Sequence, residues 1–156
     1  MQPHLDTVKM LPILTFILEG QHYAFPVNNV VEVAAMVELV SVSDDRPEVI
    51  GVANRRGSVL PMLDLRLVMG CTATPIDEWT LFVVTTSENG TIGFVVDEIQ
   101  QVEYIPVEQL HQSAAAGKYI HGIISYEQRL IQVIDLDLLI VAYSSSAVAS
   151  DLLKVD

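Results

Sequence analysis

Only one cysteine, Cys71, is present, so no internal disulfide can form, and a reducing compartment is implied. Cys71 follows Gly70 near an expected helix end, with no histidine close by to activate a thiolate, and reads as a small structural residue. Positive charge is also scarce. The 8 Lys and Arg residues stand against 20 Asp and Glu, a formal net charge of -12. That balance excludes nucleic acid as an expected partner, because phosphate binding needs a basic surface. It also argues against docking on anionic lipid and reads as a solubility device. No long hydrophobic run is present. The N-terminal apolar stretch Met10 to Leu18 ends at Glu19-Gly20, too short to span a bilayer. The run imitates the apolar region of a signal peptide, but Asp6 before it and the lack of a small-residue cleavage site after it favour a strand. The expectation is a cytoplasmic protein without membrane insertion.

Chemical motifs are missing as well. His4, His22, His111 and His121 do not stand at metal-ligand spacing with one another or with cysteine. No phosphate-cradling glycine loop and no nucleophile-elbow serine occur. No catalytic residue, metal or cofactor is therefore expected. Asn89-Gly90-Thr91 matches a glycosylation acceptor, but without a secretory signal its turn chemistry explains it better.

What is there is apolar. Hydrophobic residues make up 51% and charged residues 18% of 156, enough for one domain with a core or two small fused barrels, and unlike a disordered chain. Short runs rich in Val, Ile, Phe and Tyr alternate with turn signals, a β pattern. Strands are expected at 11–18, 22–27, 37–42, 49–54, 58–63, 80–86, 91–96, 119–124 and 130–134. Residues 28–33 read as a short helical turn or a bulge. Pro61 should lie on an edge or at a bulge. Asp64 and Asp135 each stand where a short helix begins, 64–69 and 135–140. Residues 113–117 read as a flexible loop. The expected organisation is an N-terminal extension, 1–10, a double-barrel domain, 11–143, and a flexible or helical tail, 144–156.

The chain repeats itself. Ile50-Gly51-Val52-Ala53-Asn54 aligns with His121-Gly122-Ile123-Ile124-Ser125, and without a gap Val59 to Leu65 aligns with Leu130 to Leu136. Ala24 to Asn28 aligns with Gly93 to Asp97, and Val30 with Ile99, at an offset only a couple of residues different. Two copies of one β module are implied. Each is too small to bury much alone, so the two should pack together. The matched Asp64 and Asp135 invite an aspartic-protease reading. Leu65-Arg66 and Leu136-Asp137 follow them in place of a glycine turn, and N-capping accounts for both aspartates.

Four of the basic residues are Arg46, Arg55, Arg56 and Arg66, and Arg55-Arg56-Gly57 forms an expected hairpin tip. Arginine there suits bidentate contact with a partner carboxylate. The stretch Gly51-Val52-Ala53-Asn54-Arg55-Arg56-Gly57-Ser58-Val59-Leu60-Pro61-Met62-Leu63-Asp64-Leu65-Arg66 resembles the signature of the CheW-like chemotaxis coupling family, roughly G-V-x-N-L-R-G-x-V-x-P-V-x-D-L-R. Val30 to Val33, Gly93 to Ile99 and Gly122 to Leu139 resemble three further family segments in the same order. The resemblance implies two packed five-stranded SH3-like barrels, an all-β fold with short helices and no catalysis. It implies an adaptor between the cytoplasmic tip of a methyl-accepting receptor and the regulatory domain of a CheA-type histidine kinase. A groove between the barrels would take the receptor's helical hairpin. By position, Arg56 matches the arginine tied to receptor coupling, within the turn framed by Asn54 and Gly57. Val30, Glu32 and Val33 match a partner-binding element, and Leu81 and Val102 would line the inter-barrel region. The family usually has an apolar residue where this chain has Arg55. The competing reading is a small double-barrel enzyme or ligand-binding protein that uses the inter-barrel cleft.

Overall fold

The computed structural model describes residues 9–114 and 116–144. The expected extension and tail lie outside them, apart from Lys9, Met10 and Ser144. Eleven strands and two α-helices follow in chain order. The first repeat supplies β1 (Met10–Leu18), β2 (Gln21–Pro26), β3 (Val30–Ala35), β4 (Val49–Arg55), β5 (Ser58–Asp64) and α1 (Leu65–Val68). The second supplies β6 (Leu81–Ser87), β7 (Gly90–Val95), β8 (Glu98–Pro106), β9 (Leu110–His111), β10 (Ile120–Tyr126), β11 (Arg129–Ile134) and α2 (Leu136–Ser144).

These strands form two sheets, ordered β8-β1-β2-β11-β10-β9 and β3-β6-β7-β5-β4. One sheet has six strands rather than the expected five, because the two-residue β9 adds an edge. Neither sheet corresponds to one repeat. The first hairpin of each repeat is built into the sheet of the other. The pairing is equivalent on both sides: β5 lies parallel to β7 with Met62 opposite Gly93, and β11 lies parallel to β2 with Val133 opposite Ala24.

The core follows the same plan. Ile13, Ala24, Ile105, Ile124, Ile131 and Val133 fill one barrel, and Ala53, Leu60, Met62, Phe82, Val84 and Val95 fill the other. A third, larger cluster joins them, with Phe16 and Phe25 from one sheet and Phe94, Leu63 and Val83 from the other. The ring centroids of Phe16 and Phe25 are 4.7 Å apart, and those of Phe25 and Phe94 5.9 Å. Leu136, Leu139, Ile140 and Tyr143 of α2 close this shared core. Each such side chain contributes about 1.5–3 kcal/mol on burial. β1 is buried on both faces, which is why it reads as a continuous apolar run rather than an alternation.

Several local expectations change. Residues 28–33 contain both a turn and a bulge: a 3₁₀ turn at Val27–Asn29, then a register shift between Val30 and Glu32 inside a strand, β3. β8 is a strand that the pattern does not predict. The strand expected at 37–42 shrinks to one bridge, Val40 to Val52. Pro61 lies in β5, opposite Val52, at an internal position of its sheet. The Val52 amide and carbonyl bond Val40, away from β5. The missing Pro61 N–H therefore points toward β7, whose pairing with β5 starts only at Met62. Asp64 caps α1 by accepting from the Arg66 amide at 3.0 Å, and Asp135 accepts from the Leu138 amide at 3.0 Å. α1 ends at Val68 and α2 runs on to Ser144.

Candidate partner-binding site

The hairpin between β4 and β5 has two loop residues, Arg56 and Gly57, since Arg55 pairs with Ser58. Both have positive φ, 52° and 82°. This is a type I′ turn, whose twist matches the strands it joins. Glycine adopts that conformation freely, whereas Arg56 pays about 1 kcal/mol for it. Asn54 stabilises the turn, its Oδ1 accepting from the Gly57 amide at 3.0 Å. Asn54 and Gly57 thus shape the tip, and Arg56 projects from it with 72% of its side chain exposed.

β3 and β4 are the opposite edges of their sheet, yet the sheet curls until they meet. Arg55 Nε donates to Glu32 Oε2 at 2.7 Å, and Arg56 Nη2 donates to Glu32 Oε1 at 3.2 Å. The bond from Arg55, with the positive charge of both arginines, holds the Glu32 carboxyl below its ordinary range. Arg55, the residue that departs from the family pattern, is therefore turned back on its own barrel, with 24% of its side chain exposed.

Along β3, burial alternates. Val30, Glu32 and Ala34 are half-buried, with Val30 packed on the shared core, while Val31, Val33 and Ala35 face solvent. Leu81 starts β6 opposite Ala35 and is half-buried. The structure thus brings Glu32, Arg55 and Arg56 into contact, with Asn54 and Gly57 forming the turn that carries Arg56, while Val31 and Val33 lie on the opposite, solvent-facing side of β3. Val102 is not part of this cluster. It lies on β8 in the other sheet, opposite Leu14 and 51% exposed. Val33 lies opposite Val83, and the repeat that relates Leu14 to Val83 relates Val102 to Val33. The two valines are equivalent points of two barrels.

Two polar clusters were not visible in the sequence. Arg66 is the largest fully buried side chain. It donates twice to Asp64, at 2.8 and 3.0 Å, once to Thr74 at 2.9 Å and once to Asp97 at 3.1 Å. Asp97 also accepts from the Glu19 amide at 2.8 Å, so the network ties α1 to the β1–β2 turn. A buried guanidinium needs such a set of carboxylates to offset its desolvation. In the other barrel, Arg129 donates to both oxygens of Glu103, at 2.8 and 2.6 Å. Those bonds hold the Glu103 carboxyl below its ordinary range.

Among the described residues no group of three His, Cys, Asp or Glu side chains lies close enough to hold a metal ion. A polar depression of about 530 Å³ is lined by His22, Glu98, Gln100, Gln101, Glu127 and Arg129, but Arg129 is already engaged by Glu103 and Glu127. Burial pushes the Cys71 thiol up, away from the thiolate. No helix among the described residues is long and apolar enough to cross a membrane.

Two interleaved β-barrels with a shared core define the double-barrel scaffold fold. The crystal structure of scaffolding protein TtCheW from Thermoanaerobacter tengcongensis matches it with a TM-score of 0.74, covering 80% of this chain and 88% of that one at 19% identity. Residues 12–143 match the model of the CheW-like domain, and the chain belongs to that family. It is 30% identical over 140 residues to chemotaxis protein CheW of Thermotoga maritima, covering 86% of this chain and 91% of that protein. Protein PilI of Pseudomonas aeruginosa is 28% identical over 118 residues, 72% of this chain and 66% of that one.

Proposed function

We propose that this chain is a non-enzymatic adaptor that couples the cytoplasmic tip of methyl-accepting chemoreceptors to the regulatory domain of a CheA-type histidine kinase. It works on the cytoplasmic side of receptor arrays, in flagellar chemotaxis or pilus-driven motility. Similarity to proteins named CheW and PilI supports both pathways. The observation that carries the reading is the signature turn itself. Arg56 is held out on a rigid I′ tip, with Glu32 its one ionic partner among the described residues, and the neighbouring edge strand β3 exposes Val31 and Val33. Apolar side chains supply contact area there, and the arginine supplies direction and partner choice. Val102 marks the equivalent surface on the second barrel, but Glu127 occupies there the turn position of Arg56, so the two faces differ in charge.

The test is a titration against a CheA-type regulatory domain and a receptor tip fragment, with Arg56→Glu run in parallel. The wild type is expected to bind both, and the variant to lose receptor binding by at least about tenfold, since a carboxylate there meets Glu32 and reverses the charge. Binding of the wild type to neither partner rejects the adaptor reading. Equal binding by the variant removes Arg56 from the site.

A further inference from the structure

We propose that the turn bearing Trp79 is a separate docking point, for a protein segment that carries arginine or lysine side chains. Trp79 is the sole tryptophan of the chain and is 79% exposed. Exposed tryptophan is costly to leave in water, and at interfaces it is a favoured anchor. Here it is not displayed by a slack loop. The turn from Asp77 to Thr80 is closed by the Thr80 amide on the Asp77 carbonyl at 3.1 Å. The Asp77 carboxylate accepts from the Trp79 amide at 2.8 Å, and Thr80 Oγ1 accepts from the Asp77 amide at 3.0 Å. The Met36 amide bonds the Thr80 carbonyl at 2.8 Å, so the turn is fastened to the chain leaving β3. Val37 and Trp79 are the next residues beyond that bond, and Val37 is 45% exposed. Val37 and the indole thus stand as exposed apolar side chains just past that hydrogen bond.

The charged residues next to Val37 and Trp79 in the chain have one sign. Glu38, Asp77 and Glu78 are all exposed. Residues 31–45 contain no Lys or Arg, and Arg66, the nearest basic residue before Trp79 in sequence, is buried in its own network. An exposed indole with Asp77 and Glu78 beside it in the chain, and no cation over its ring among the described residues, is complementary to a guanidinium or ammonium lying over the ring. Apolar residues on the same segment would cover Val37. The net charge of -12 opposes an anionic lipid surface in that place.

The indole reports its own occupancy, because no other tryptophan emits. The full chain is titrated with an acetylated, amidated hexapeptide alternating arginine and leucine, and with the same peptide carrying citrulline for arginine. The arginine peptide is expected to change the tryptophan emission saturably and the citrulline peptide to do so at least about tenfold more weakly. By calorimetry, Trp79→Ala, which keeps every charge and every bond of the turn, is expected to weaken arginine-peptide binding about tenfold, and Glu78→Lys to weaken it similarly. Equal binding by Trp79→Ala would reduce the interaction to general attraction by an acidic protein and overturn the proposal. So would an emission unchanged by the arginine peptide, equal binding of the citrulline peptide, or the same emission change produced by phosphatidylcholine vesicles.

Discussion

Asp64 was legible as a helix cap because capping is local: its partner amide is two residues away. Its second role was not. The same carboxylate binds the Arg66 side chain, and that guanidinium reaches Asp97, 31 positions on. Nothing in the local pattern distinguishes a surface arginine from one buried to 2% exposure. Arg55 is a similar case. As a departure from the family pattern it invites a partner-facing role, yet Glu32 captures it at 2.7 Å. Glu103 gives a test at this scale. Its side chain is 10% exposed and bonded twice to Arg129. Its folded-state pKa lies below the ordinary carboxyl value of 4.5. The stabilisation it brings is therefore complete above that value and is lost as pH falls through the lower, folded one. Glu103→Gln should cost about 1–2 kcal/mol near neutral pH. The gap to the wild type should narrow as pH falls below about 4, as read from urea midpoints between pH 3 and 7.

Two of the elements were invisible for a shared reason. β3 and β8 are edge strands, and edges bury one side poorly. β8 is mostly exposed, with Gln100, Gln101 and Val102 exposed in succession and only Ile105 fully buried, so its hydrophobic signal is weak. The strongest runs, by contrast, are the internal hairpins, and these were legible. The matched glycines carry a finer lesson. Gly51 and Gly122 each follow a register shift, in β4 and β10, and each faces a carbonyl on the neighbouring edge segment. A Cβ on Gly51 would stand 2.6 Å from the Val40 carbonyl oxygen, and one on Gly122 3.0 Å from that of His111. Gly51 has φ of 138°, closed to side chains as well. Gly51→Ala is thus expected to cost about 3 kcal/mol or more, and Gly122→Ala about 1–2 kcal/mol. Denaturant unfolding of the two variants would check that order; equal costs would show that the backbone conformation at Gly51 is unimportant.

At the scale of the molecule, the repeat announced two modules but not their exchange. Sequence self-similarity reports which segments are alike, not which segments pair, and a like hairpin fits either sheet. The interleaving makes a prediction that separate modules would not. Fragments 1–70 and 71–156 each lack the strands that complete both sheets. Neither is expected to show a cooperative transition by circular dichroism alone, whereas an equimolar mixture should regain one. Independent folding of either fragment would contradict the shared core.

The same exchange sets a schedule for synthesis. β1 and β2 leave the ribosome ahead of the other strands described, but their neighbours β8 and β11 are the segments 98–106 and 129–134. At roughly 5–20 residues per second, the first hairpin waits several seconds or longer, with Phe16 and Phe25 uncovered, before a sheet exists to receive it. The newborn chain is most exposed to aggregation, and most in need of a chaperone, in the interval before its last strands emerge.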